Sequence, residues 1–166
     1  MKLSVWTRVQ LDFLSEARGY RVVTISKRRF IKASSERIFR ALTDTSELER
    51  WFVQEATVDL KPDGKVVMNW APGMGEHGKV VEVKAPTLFR FTWEGQFSPT
   101  PTILSFELVS ENGGTSLILN HSGIGEGLGW EAYAAMNQPG KGWDAHLQDL
   151  ASWVETGTCP PPGPRG

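Results

Sequence analysis

The chain has 166 residues, a formal net charge of -1, 40% hydrophobic and 22% charged residues, and one cysteine. A chain of this length forms one domain and can bury about 70% of its unfolded surface without a disulfide or metal. The near-neutral charge gives no sequence-wide attraction to phosphate backbones or anionic lipid, so neither nucleic acid nor membrane insertion is expected, and the lone Cys159 excludes an intramolecular disulfide.

Residues 1–20 read as an N-terminal extension. Val5, Trp6, Val9, Phe13 and Leu14 lie loosely at helical spacing before Gly19, so a packing helix and a plain extension both stay open. Lys2 is followed by Trp6, Thr7, Arg8, Gln10 and Asp12, which interrupt the apolar run a signal peptide needs, and no later run is long enough to span a bilayer. A cytoplasmic location is the expectation. The domain itself is placed at residues 21–157.

From Tyr20 to Ala33 the β-branched and aromatic residues Tyr20, Val22, Val23, Thr24, Ile25, Phe30 and Ile31 predict one strand or two short ones around the charged Lys27-Arg28-Arg29. Ser34 or Ser35 then offers an N-cap, and Ile38, Phe39 and Leu42 make a helical stripe. A second short helix is expected over Ser46–Trp51, with Ser46 and Glu49 at capping-box spacing. Strands follow at 55–60, 65–70, 77–84, 88–93, 102–109 and 115–121, separated by turn sequences such as Pro62-Asp63-Gly64 and Asn112-Gly113-Gly114. Successive hairpin-like connections of this kind give an antiparallel sheet rather than βαβ units. A helix over about 141–155 carries Trp143, Leu147, Leu150, Ala151 and Val154 as one broad apolar stripe, which has to be buried against that sheet. The final residues, 158–166, are rich in proline and read as a disordered tail with Cys159 as an exposed thiol.

The run Ala33-Ser34-Ser35-Glu36-Arg37-Ile38-Phe39-Arg40-Ala41-Leu42-Thr43-Asp44, then Leu48 and Trp51-Phe52, resembles the opening of the Aha-type family, homologues of the activator of the heat-shock-protein-ninety ATPase. Gly78-Lys79-Val80-Val81-Glu82-Val83 with Pro86, Leu88 and Thr92-Trp93, the Gly114-Thr115-Ser116-Leu117 turn, His121 with Gly123, and Gly142-Trp143 match the same pattern, so the likeness covers roughly residues 22–157. The resemblance implies the helix-grip fold of the START and birch-pollen-allergen (SRPBCC) superfamily. That fold is α+β: a curved seven-stranded antiparallel sheet wrapped on a long C-terminal helix, with two short helices after strand one. It also implies a cavity between helix and sheet in which members bind lipids, sterols, polyketides or hormones, and where a few act as cyclases or hydrolases. The Asn- and Trp-rich signature of the separate chaperone-stimulating domain is not found in this chain.

Candidate chemistry is sparse. His77, His121 and His146 form no His-x-x-x-His pair and there is no Cys-x-x-Cys, so neither a metal nor another cofactor is expected. The run Gly123-Ile124-Gly125-Glu126-Gly127-Leu128-Gly129 lacks dinucleotide spacing and follows antiparallel strands; it reads as a lid or a plain loop before a short helix over 130–137. No nucleophile elbow is present, and a catalytic set is not assigned. The expected ligand-lining set is Met68, Asn69, Trp70, His77, Phe91, Trp93, Phe106, Glu107, Trp143, His146, Leu147 and Leu150, although the apolar residues on both faces leave the inward strand parity open. The expectation is a non-catalytic domain holding a small apolar or amphipathic ligand. A co-chaperone or stress-related domain with a chaperone or other protein partner, and a cyclase or hydrolase using the same cavity, are the alternatives.

Overall fold

A computed structural model describes residues 6–12, 22–95, 101–124 and 142–160. In chain order these form β1 (Trp6–Asp12), β2 (Val22–Ile31), α1 (Ser35–Thr43), α2 (Thr45–Trp51), β3 (Glu55–Val58), β4 (Lys65–Ala71), β5 (Met74–Lys84), β6 (Leu88–Gly95), β7 (Thr102–Glu111), β8 (Gly114–Ile124) and α3 (Trp143–Thr156). The strands make one antiparallel sheet in the order β1-β2-β8-β7-β6-β5-β4-β3. Strands β2 to β8 are the expected seven-stranded sheet. It curves around α3, and this is the helix-grip fold.

The eighth strand corrects the helical option for the N-terminal extension. Trp6–Asp12 pairs along its whole length with Val22–Arg28. Seven residues with no complete apolar stripe gain little as an isolated helix, whereas the open edge of β2 offers ladder partners to alternate residues of the segment. Residues 13–20 lie outside the described residues.

The two small helices connect β2, in the sheet interior, to β3 at the far edge. Ser34 caps α1, its Oγ accepting from Arg37 N at 3.1 Å, while the Ser35 hydroxyl turns to Ser110 and Thr115. The cap of α2 is Asp44 rather than Ser46. Its carboxylate accepts from Glu47 N at 3.1 Å and from the Ser46 hydroxyl at 2.6 Å, and Glu49 instead accepts from Ala56 N. A carboxylate at this position serves the orphan amides and the positive end of the helix dipole together, which a hydroxyl cannot match. The same bonds hold Asp44 below its ordinary carboxyl value, the Ser46 hydroxyl contributing most. Trp51 Nε1 donates to Ala41 O at 2.8 Å and ties α2 to α1.

The inward parity follows from burial. Ile25 and Ile31 of β2, Val66 and Met68 of β4, Phe89, Phe91 and Trp93 of β6, Leu104, Phe106 and Leu108 of β7, and Leu117 and Leu119 of β8 are buried together beneath Trp143, Leu147, Leu150 and Ala151 of α3. Helix α3 ends at Gly157, which takes a left-handed φ of 75° and donates its N–H to Trp153 O. The next residues fold back onto the body. Cys159, expected as an exposed thiol, is partly buried against the core with Sγ 3.4 Å from Arg50 O. Residues 161–166, the glycine run beyond Ile124 and the expected helix over 130–137 lie outside the described residues.

Candidate ligand-binding site

Aromatic side chains gather where the first turn of α3 crosses β4 and β6. Phe52, the residue that ends α2, lies at their centre: its ring stacks with Trp51 (4.9 Å between centroids), Trp93 (6.4 Å) and Trp143 (6.2 Å), and meets Trp70 (5.4 Å) and His146 (4.9 Å) edge-on. Trp70 in turn contacts Trp93 at 5.8 Å and His146 at 6.1 Å. Phe52, Trp93 and Trp143 are buried, whereas Trp70 and His146 are half-buried, so the cluster reaches the surface at those two rings. Of these rings, Trp70 and His146 are the ones that still present surface to a further flat group.

Two backbone features aim Trp70. The β4–β5 register steps between Asn69 and Ala71, placing Trp70 at the irregularity, and such bulges redirect a side chain. Beside it, Gly75, paired with Asn69, lets β5 approach β4 closely, because a Cβ there would collide with the Met68 carbonyl. The buried Glu76, 1% exposed, faces inward on the same stretch of β5, opposite Met68 of β4 and Gly95 of β6.

The buried rings behind this surface are oriented by one hydrogen-bond chain. Trp143 Nε1 donates to His121 Nδ1 at 3.2 Å, which fixes the proton on His121 Nε2; that nitrogen donates to Thr102 Oγ1 at 2.7 Å, and the Thr102 hydroxyl donates to Trp93 O at 2.8 Å. His121 is fully buried, and desolvation pushes its pKa from 6.5 to about 3, so it is a neutral fastener between α3, β8, β7 and β6.

Polar side chains secure the opposite flank of α3. On β2 the inward Lys27, 0% exposed, pairs with Asp144 Oδ1 at 2.7 Å, and Arg29 Nη2 donates to Gln148 Oε1 at 2.7 Å. Burial pulls Arg29 below its ordinary value, opposed by the charges of Glu155 and Asp144. Towards the end of α3, Trp153 Nε1 donates to Glu47 Oε2 at 2.7 Å. Burial alone would raise Glu47, but hydrogen bonds from Trp153 and Arg37 with the charges of Arg37 and Arg40 bring it below its ordinary value.

The twelve residues expected to line the site therefore divide. Trp70, Trp93, Trp143 and His146 meet in the cluster, while Met68, Phe91, Phe106, Leu147 and Leu150 form the core behind it. Asn69, His77 and Glu107 do not join them. Asn69 bonds Glu55 across the edge strands, His77 is 61% exposed beside Glu94, and Glu107 alternates with buried Phe106 and Leu108 and so faces the convex side. Phe52 was not among the expected residues. Its signal was the Trp51-Phe52 doublet, which supplies more aromatic surface than one short helix can bury on its own face. Among the described residues no group of three or more His, Cys, Asp or Glu side chains is placed to hold a metal, and no helix is long and apolar enough to cross a membrane.

The family model described as Activator of Hsp90 ATPase homolog 1-like protein matches residues 32–155. The chain belongs to this family. No curated protein sequence matches it. Solved structures of the same fold include CalU16 from Micromonospora echinospora, 19% identical with a TM-score of 0.69, covering 93% of this chain and 88% of that one. The Aha1 dimer from Colwellia psychrerythraea is 23% identical with a TM-score of 0.69, covering 82% and 98%. DynU16, a protein of the dynemicin biosynthetic locus, is 19% identical with a TM-score of 0.71, covering 85% of this chain and 49% of that one. At these identities the likeness concerns the fold. It places this member of the Activator of Hsp90 ATPase homolog 1-like family among domains whose sheet and C-terminal helix enclose one inner face.

Proposed function

We propose that this domain binds a small apolar or amphipathic ligand at the aromatic cluster between α3 and the β4–β6 part of the sheet, without catalysing a reaction. The observation that carries this reading is the convergence of Phe52, Trp70, Trp93, Trp143 and His146, contributed by β4, β6, α3 and the end of α2, with two of the five rings reaching the surface. Apolar burial against these rings supplies affinity, and polar atoms at the margin set orientation. Two of the solved neighbours, CalU16 and DynU16, share the fold, and the second comes from a biosynthetic locus, which agrees with small-molecule handling. A protein-docking role has less support. The large exposed apolar side chains among the described residues, Leu60, Val81, Ile103 and Val109, are spread over a turn and two strands.

The test is native mass spectrometry of the full chain purified from its own cells, followed by titration of tryptophan fluorescence with the small molecules released from it. A stoichiometric adduct that quenches fluorescence, and does so less in Phe52→Ala, supports the site. A clean protein mass together with no response to any aromatic or aliphatic probe sinks it.

A further inference from the structure

The indole N–H groups of four described tryptophans are of two kinds. Trp51, Trp143 and Trp153 each donate to a protein acceptor, Ala41 O, His121 Nδ1 and Glu47 Oε2. Trp70 does not. Its Nε1 is fully buried as an atom and has no hydrogen-bond partner among the described residues. A buried donor left this way costs about 1–3 kcal/mol, and an acceptor supplied by a water or a ligand removes that cost. The position reinforces this reading, since Trp70 is the residue at the β4–β5 irregularity and its ring is one of the two through which the cluster meets the surface.

Resting on the site proposed above, we infer that the ligand is a flat aromatic molecule carrying a neutral oxygen acceptor, a ketone or quinone type of carbonyl, which accepts the Trp70 indole hydrogen while the ring system lies at the margin of the cluster against the half-buried rings Trp70 and His146. The acceptor follows from the donor's chemistry, because an indole offers a hydrogen and no lone pair in return. The flat ring follows from the walls, which are π faces and edges rather than branched aliphatic side chains. Neutrality follows from charge. The titratable side chain that β5 adds to this stretch of the inner face is the buried carboxyl of Glu76. The inward cations, Lys27 and Arg29, lie on β2, five strands away in the sheet, and engage Asp144 and Gln148. An anionic group at Trp70 would give up its water near the Glu76 carboxyl with no lysine or arginine among the described inward residues beside it.

Three probes sharing one bicycle test this on the full chain: 2-acetylnaphthalene, 2-ethylnaphthalene and 2-naphthoate. Binding is followed by the indole cross-peaks in a ¹⁵N spectrum, with that of Trp70 assigned by its disappearance in Trp70→Phe. The acetyl probe is expected to bind about tenfold more tightly than the other two, one hydrogen bond's worth, and to move the Trp70 peak downfield. In Trp70→Phe the ratio between acetyl and ethyl probes should fall towards one. Equal binding of the acetyl and ethyl probes with the Trp70 peak unmoved overturns the acceptor assignment and leaves the aromatic site standing. Tightest binding of naphthoate overturns neutrality. Failure of all three to bind overturns both this inference and the site itself. Should Trp70→Phe fold poorly, the peak displacement in the unaltered protein decides alone.

Discussion

The two flanks of α3 are fastened by different physics. Towards β2 the contacts are polar and directional: Lys27 with Asp144, Arg29 with Gln148, and Lys32 N with Glu155 Oε1 at 2.9 Å. Towards β4 and the end of α2 the first turn of the helix meets rings instead, and His146 lies against Phe52, Trp70 and Trp143. Ion pairs and hydrogen bonds fix a helix at one register, whereas ring contacts tolerate sliding with small changes in energy. One flank therefore locates the helix by directed polar bonds, and the other holds it by ring packing around the bonded Trp143, with the half-buried Trp70 at its margin.

Substitutions should separate these roles. The largest effect belongs to Trp143, where the buried ring and the closed hydrogen-bond chain coincide. Trp143→Ala should cost about 3–5 kcal/mol in a urea melt, as other large aromatic truncations in cores do, and a cost near zero would mean that α3 does not close the sheet. Next comes the polar flank. Asp144→Ala leaves the Lys27 ammonium buried beside fewer acceptors and should cost about 3 kcal/mol; a loss below about 1 kcal/mol would show the pair to be hydrated.

An acid titration sharpens the same contrast. The native His121 resists protonation down to about pH 3 while the unfolded chain accepts the proton near 6.5, so the unfolded state binds more protons across that window. Stability should therefore fall as pH drops from about 6.5, by about 1.4 kcal/mol per unit. Between pH 7 and 5 the slope should be shallower in His121→Gln. Identical slopes would place the titration elsewhere. The smallest effect is expected at Trp70→Phe, about 1 kcal/mol or less, because no protein hydrogen bond is lost. A larger loss would indicate that its N–H already has a strong partner in the native protein.

Much of the fold could be read along the chain because its signals are local. Turn sequences between alternating strands, a serine before an amphipathic helix and an apolar stripe before Gly157 each specify an element without reference to the rest. Where the reading failed, the deciding partner was remote. Trp6–Asp12 carries no strong strand pattern of its own and becomes a strand because β2 has an open edge. Strand parity could not be settled because Val81, Ile103 and Val109 put apolar groups on the convex side while Lys27, Arg29 and Glu76 put charged ones inside. The second inversion is intelligible only once α3 is present, since Asp144 and Gln148 are more than a hundred residues from Lys27 and Arg29. For the same reason Asn69, His77 and Glu107 looked like polar groups of a cavity, although each faces the other side of the sheet.

The chain from Trp143 through His121 and Thr102 to the Trp93 carbonyl also sets a clock. Its first proton, on the Trp143 indole, is bonded to a fully buried nitrogen, and no small fluctuation carries it to water. Exchange of that proton with deuterated solvent requires α3 to leave the sheet, so its rate counts the openings of the whole domain.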